Sequence, residues 1–316
     1  MSSCIGTIKG QQKTKKALLL AAAGNHNLLL VGVPGEGKTT LAKSIISFLP
    51  ELTNDQRAAL DSLYVGGYKD TRPPFCEVHH TTTIASLIGG YNSATKSIVP
   101  GLVSRACYGV LFLDELTEFG SDQLEALRTA ITESAITISR TQGSKVFPTC
   151  FQLVAACNPC RCGYHGTQFC KCSASQVARY QRKISGPILD RIDLFADIYP
   201  ITSQERLAEN IENQSKLFYS KVLKSRHNQY SRQGFGICNG QLSGKDIFAQ
   251  CKVEHTARRW LAVYMDKRTK IPFSTRRMIS LVKISRTLAD LYNSETVTVD
   301  HLQHCLPFTR SRSLVI

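Results

Sequence analysis

No stretch of this sequence approaches the roughly 18 uninterrupted apolar residues that a membrane-spanning helix needs, and the opening MSSCIGTIKG lacks the basic-then-apolar layout of a secretory signal. Membrane insertion and secretion are therefore not expected. The setting that follows is soluble and cytoplasmic, where thiols stay reduced. Acidic residues are also scarce, 24 Asp/Glu against 39 Lys/Arg, for a formal charge of +15. The deficit is uneven: residues 1–200 carry 20 Lys/Arg against 15 Asp/Glu, and residues 201–316 carry 19 against 9. Between Asn213 and Lys245 there is no acid at all, only Lys216, Lys221, Lys224, Arg226, Arg232 and Lys245. Such a surface suits a polyanion such as DNA or RNA, because each neutralised phosphate releases condensed counterions. A solvated basic face or a linker would have the same composition. With 42% apolar and 20% charged residues the chain is of ordinary globular composition, and 316 residues suit about two domains.

What is present is first of all a phosphate-binding pattern. The apolar run Leu28–Val31 leads into Gly32-Val33-Pro34-Gly35-Glu36-Gly37-Lys38-Thr39-Thr40 and then a helix, the strand–loop–helix context that G-x-x-x-x-G-K-[ST] requires. Glycines let backbone N–H groups converge on phosphates, Lys38 can reach the β/γ oxygens, and Thr39 offers a hydroxyl to Mg²⁺. A helix over Lys13–Ala23 is expected before it, with Asn25-His26-Asn27 turning the chain into the strand. Further on, GVLFLDELTEF (109–119) reads as a strand ending in adjacent carboxylates. Asp114 would join Thr39 in the Mg²⁺ shell and Glu115 would polarise the attacking water. FQLVAACNP (151–159) reads as another strand, with Asn158 at its end in reach of a γ-phosphate or its water, although Asn before Pro also favours a turn. GPILDRIDL places Arg191 between two carboxylates, and PFSTRRMISLVKISRTLADL opens a helix with Arg276 and Arg277. On these residues alone the arginines are equally surface ion-pair partners.

Residues 136–156 read as two β-branched runs around Thr141–Lys145 with Gly143 as the turn, a hairpin carrying Arg140 and Lys145 near its tip. The Gly/Pro/Ser/Thr-rich segment from Tyr64 to Tyr108 contains His79-His80. Adjacent side chains diverge on any regular element, which argues against a metal shared between these two. Five of the twelve cysteines fall between Cys157 and Cys172. Cys157 belongs to the strand. Cys160-x-Cys162 and Cys170-x-Cys172, around a loop with Gly163 and Gly166, could hold tetrahedral Zn²⁺, with His165 a substitute ligand; redox-sensitive thiols and disulfides are the alternatives.

The order of these motifs is similar to that of AAA+ ATPases, and the wording GQQKTKKALLLAAAGNHNLLLVG, HHTTTIASLIGG, GVLFLDELTEF, ITISR, FQLVAACNPCRCGYHG, SGPILDRIDL and RTLADL resembles the magnesium-chelatase-like, ComM-type family over about Ile8–Leu306. The resemblance implies an α/β P-loop domain with a parallel sheet over residues 1–200 and a small all-α lid over 201–316, with lid helices at Gln204–Ser225, Val253–Lys267 and Thr275–Tyr292 and a Gly-rich join at Gly234–Gly244. It implies a hexameric ring with ATP at the subunit interfaces, in which Asn158 is the first sensor, Arg191 the arginine finger given to a neighbour, and Arg276 the sensor arginine of the lid. It makes the 136–156 hairpin a pore element whose Arg140 and Lys145 grip a DNA backbone, unless that loop is merely solvated. The position of the cysteine loop between Asn158 and Arg191 suggests a rigid element near the subunit interface, and removing a metal from it is expected to weaken the ring without emptying the P-loop. The family pattern has Pro where Val78 stands, and it carries a Lon-protease-like domain ahead of the motor where this sequence has Met1–Lys9. A separate polypeptide in that role is one expectation. The function implied is an ATP-driven DNA motor, a ring helicase for branch migration in recombination or natural transformation. The alternatives are a chelatase motor acting on a protein partner and a non-motor ATP-binding module.

Overall fold

The computed structural model describes residues 5–141, 143–184, 186–207, 214–243, 246–266 and 274–314. Lys245, Gly244, Lys267 and the middle of the expected Gln204–Ser225 helix lie outside them. Where the chain turns apolar in short runs it forms strands: β1 (Leu28–Gly32), β2 (Phe75–Val78), β5 (Val110–Leu113), β8 (Gln152–Cys157) and β9 (Leu194–Ile198). They build one parallel sheet in the order β2-β5-β8-β1-β9. Every residue of β1, β5 and β8 is buried. That is what a parallel sheet covered on both faces demands, and it explains continuous apolar runs in place of alternation. Two antiparallel hairpins stand apart from it, β3 (Gly89–Asn92) with β4 (Ser97–Pro100) and β6 (Ala135–Arg140) with β7 (Gly143–Pro148).

Alternate residues of β1 face alternate cores. Leu29 and Val31 join Leu111, Leu113, Val103 and Leu127 on one side. Leu28 and Leu30 join the helix Gln12–Gly24 on the other, in a cluster that continues to Phe218, Val222, Leu281 and Ile284. The carboxyl-terminal helices, chiefly Gln214–Gln233, His255–Asp266 and Thr275–Leu291, thus share a core with one face of the sheet. No described helix is long and apolar enough to cross a membrane. The fold is an α/β parallel sheet followed by a helical region, as the resemblance implies.

A buried polar network fastens that region. Arg286, 1% exposed, donates to Asp290 (2.9 Å) and to the carbonyls of Ser294 (2.6 Å) and Glu295 (2.8 Å). Arg232 holds the same Asp290 through two 2.9 Å bonds. Thr287 shares a 2.7 Å bond with buried His26. The words RTLADL and NHN therefore have a structural use. Arg226 donates to the Ala22 carbonyl (2.7 Å), so two bases of the acid-free segment serve packing, while Lys216, Lys221 and Lys224 stay exposed. Asp290→Ala would strand two guanidiniums in this interior, and a loss of about 3–5 kcal/mol of stability is expected, read from the urea midpoint.

The hairpin differs in detail from its sequence reading. Arg140 pairs with Gly143, so Gly143 is not the centre of the turn but opens the return strand, at φ +132°. Lys145 is therefore two positions back from the tip, opposite Ile138, and exposed.

Candidate nucleotide-binding site

All five sheet strands run the same way, so the loops after β1, β5 and β8 meet at one carboxyl edge, the usual ligand edge of open α/β sheets. Gly35 and Gly37 adopt φ +80° and +78°, left-handed backbone that glycine enters without a Cβ penalty. The loop closes onto a helix at Lys38–Ser44. Gly32 must be glycine for a different reason: a Cβ there would lie 2.5 Å from the Ile198 carbonyl oxygen.

One pocket is lined by Pro34, Gly35, Lys38, Thr39, Asp114, Glu115, Cys157 and Asn158. The Lys38 ammonium donates to the carbonyls of Gly32 and Val33 and to Asn158 Oδ1, each at 2.9 Å. Burial lowers its pKa, against the nearby Asp114 and Glu115 carboxylates. The Thr39 hydroxyl donates to Asp114 Oδ2 at 2.8 Å, which sets side by side the two groups expected to serve Mg²⁺. Glu115 sits in left-handed conformation, φ 52° and ψ 50°, which turns its side chain away from the strand direction and leaves it exposed. Strain of this kind gathers at functional sites. Val33, Glu36 and Thr40 belong to the same loop and helix start, with Thr40 exposed. The residues fit a triphosphate with Mg²⁺: a glycine cradle with nothing within 4 Å of a Gly35 Cβ, a cation at its base, and a hydroxyl–carboxylate pair beside it. Burial pushes the Cys157 thiol up to about 12, so it remains neutral beside the site.

Arg191 and Arg276 are not in that pocket. Both line a second recess with Asn27, Asp190, Asp193 and Lys283. Asn27 and Asp193 directly precede β1 and β9, so this recess is at the amino edge of the sheet, one strand length, roughly 15 Å, from the P-loop edge. Arg191 donates to Thr132 Oγ1 (2.7 Å) at the end of the helix Ser121–Thr132, and proximity to Arg276 and Arg128 adds to burial in lowering its pKa. Arg276 is exposed, whereas its neighbour Arg277 is spent on structure, donating to the carbonyls of Leu189 (3.0 Å) and Ile192 (3.1 Å) and lying 4.6 Å from the Phe195 ring centre.

The four loop cysteines come together. Cys160 Sγ is 3.3 Å from Cys162 Sγ and 3.9 Å from Cys170 Sγ, Cys162 is 3.7 Å from Cys170, and all four sulfurs including Cys172 lie within 4.8 Å of one another. Sulfurs around tetrahedral Zn²⁺ stand about 3.8 Å apart. The cluster can hold a metal. His165 is not in the group, and every described cysteine is free. Cys160 is pushed up to about 12 by burial; at Cys162 burial acts the same way, but amides of Tyr164 and Lys171 outweigh it and bring the thiol down to about 6.

The loop also touches the P-loop, a contact invisible in the sequence. Gly163 (φ +86°) lies so close to Pro34 that a Cβ would stand 2.5 Å from Pro34 Cδ. The cysteine loop and the P-loop therefore pack directly on one another. Gly163→Ala is expected to weaken nucleotide binding about tenfold, or about 1.4 kcal/mol, at the lower end of what overpacking costs. Titration calorimetry with ADP reads it, and an unchanged affinity would show the contact to be incidental.

His79 and His80 are a further departure. They follow β2 in a turn, where the alternation of a regular strand no longer separates them, and their ring centres are 4.0 Å apart. His80 Nδ1 lies 3.7 Å from Glu115 Oε2. Sequence reasoning missed this meeting because only the parallel pairing of β2 with β5, Val78 opposite Leu113, brings the two strand ends together.

Residues 4–206 match the family model for magnesium chelatase, subunit ChlI, and residues 212–309 match the model for the ChlI C-terminal region. The chain belongs to this family. It is 37% identical over 310 residues to the competence protein ComM of Haemophilus influenzae, covering 95% of this chain and 59% of that protein. It is 35% identical over 322 residues to YifB of Escherichia coli, covering 99% and 61%. A 67 kDa magnesium-chelatase subunit of Chlorobaculum tepidum is 28% identical over 160 residues, 48% of this chain and 23% of that subunit. The chain thus spans about three fifths of the length of its ComM and YifB relatives. Membership of this ChlI-like family suggests an ATPase that uses Mg²⁺.

Proposed function

We propose that this protein is an ATP-driven DNA motor of the ComM type, a cytoplasmic homo-oligomeric ring, hexameric by the family pattern, that acts as a helicase or branch-migration ATPase in recombination. The observation that carries the reading is the split of the ATP machinery: Lys38, Thr39, Asp114, Glu115 and Asn158 meet at one edge of the sheet while Arg191 and Arg276 stand at the other. In this arrangement the arginines stand a strand length from their own chain's pocket, which supports a reading in which a second copy brings its amino edge to that pocket and completes it.

In that ring the amides of the Gly35–Gly37 turn and the Lys38 ammonium would bind the phosphates, and Thr39 and Asp114 would hold Mg²⁺. Mg²⁺ and the triphosphate supply the phosphoryl group with its charge partly neutralised. Glu115 takes the proton of the attacking water, Asn158 orients it, and the neighbour's Arg191 and Arg276 meet charge that grows in the transition state. Zn²⁺ on Cys160, Cys162, Cys170 and Cys172 would staple a loop too short for a core of its own and fix Gly163 against Pro34. The two hairpins pack side by side, Gly89 against Ile138, and expose Lys96, Arg140 and Lys145, a charge pattern that suits a DNA backbone.

ATP hydrolysis measured with and without single-stranded and forked DNA tests the reading, with DNA binding followed against salt. Stimulation by DNA, with binding that weakens steeply as salt rises, is expected. Hydrolysis indifferent to DNA and no binding at low salt would defeat it. The similarity to a magnesium-chelatase subunit favours a second reading, a motor acting on a protein partner, which predicts that indifference.

A further inference from the structure

We propose that His79, His80 and Glu115 form a binding site for a divalent transition-metal ion of the zinc type, separate from the cysteine cluster. One ligand atom from each residue lies within 4.8 Å of the others. His80 Nδ1 is buried and has no hydrogen-bond partner among the described residues, and the atom it faces is Glu115 Oε2 at 3.7 Å. That separation exceeds an N–H···O bond, which ends near about 3.2 Å. It is close to the span across one tetrahedral metal, about 3.4 Å for bonds of roughly 2.0–2.1 Å. A small closing motion of an exposed carboxylate makes up the difference.

The rest of the site is already held. His79 Nδ1 lies 2.9 Å from Thr81 Oγ1; in the tautomer in which Nδ1–H donates there, Nε2 is left as the ring's acceptor for a metal, with the ring stacked on His80. Gln123 donates to the carbonyls of His80 (2.9 Å) and Thr82 (2.6 Å), tying the loop to the helix Ser121–Thr132. Two imidazoles and one carboxylate suit Zn²⁺, Co²⁺ or Ni²⁺ and not Mg²⁺, which prefers oxygen alone. The metal would draw Glu115 away from the attacking water, so its occupancy turns hydrolysis down. This inhibitory half rests on the role proposed above for Glu115; the binding half does not.

Zn²⁺ titrated calorimetrically into protein whose cysteine cluster is already loaded, in excess Mg²⁺, tests both. One further site per chain is expected, weakened at least about tenfold by His79→Asn and by His80→Asn, and retained in Cys172→Ser. ATP hydrolysis in the same titration should fall as the site fills, and His80→Asn should shift that inhibition to correspondingly higher Zn²⁺. No site beyond the cysteines, or one indifferent to both histidine substitutions, overturns the proposal; filling without inhibition overturns the link to Glu115. If the chain hydrolyses no ATP at all, calorimetry still decides the site.

Discussion

Arg191→Ala is expected to lower the rate of ATP hydrolysis by about 10³–10⁵ while leaving nucleotide affinity little changed. The reasoning is geometric. Arg191 belongs to the recess at the amino edge of the sheet, with Asn27 and Asp193, and no residue of the P-loop pocket is shared with it. In the proposed ring its charge would act on a nucleotide bound by another copy and chiefly where charge builds during reaction, so ground-state binding would be spared. Because Arg191 also bonds Thr132, Arg191→Lys serves as a control that keeps the charge without the planar fork. A fall in kcat with an unchanged calorimetric Kd for ADP is the expected signature, and Arg276→Ala should show a milder version of it.

Lys38→Ala should be equally silent in hydrolysis, for the opposite reason: it removes binding itself. Its ammonium is held by three oxygens at 2.9 Å at the base of the glycine cradle, where a phosphate is to lie. Removing one charge-assisted hydrogen bond costs roughly 1.5–3 kcal/mol, so affinity for ATP should fall by about tenfold to a hundredfold and turnover to background. The two variants thus separate: both are inactive, but only the lysine variant loses nucleotide. An Arg191→Ala protein that also fails to bind ADP would mean that the arginine supports its own chain's site.

Much of this was legible from the chain, and the reasons differ by residue. The P-loop is written in contiguous sequence because its chemistry is that of a backbone turn, with Gly35 and Gly37 in left-handed conformation where no other residue is at ease. Buried parallel strands are continuous apolar runs, so β1, β5 and β8 announce themselves. The cysteine cluster was readable because its ligands are close in sequence. Long-range geometry was not. Nothing in S-T-R-R says that Arg277 is consumed by the carbonyls of Leu189 and Ile192 while Arg276 is left to the surface. The meeting of His80 with Glu115 depends on a strand register, and that of Gly163 with Pro34 on loop packing. Of the six bases in the acid-free segment, Arg226 bonds the Ala22 carbonyl and Arg232 bonds Asp290, so charge counted along the chain exceeds charge presented at the surface, where Lys216, Lys221 and Lys224 stand.

The claim on which the account turns is that a working ATP site needs two copies of the chain, and mixing subunits tests it most directly. Lys38→Ala contributes an intact Arg191 and Arg276; Arg191→Ala contributes an intact P-loop with Glu115. Equal amounts of the two, inactive apart, should on mixing recover a DNA-stimulated ATP hydrolysis well above the sum of the separate rates. Mixtures that stay at that sum, or an Arg191→Ala protein fully active on its own, would contradict the shared site.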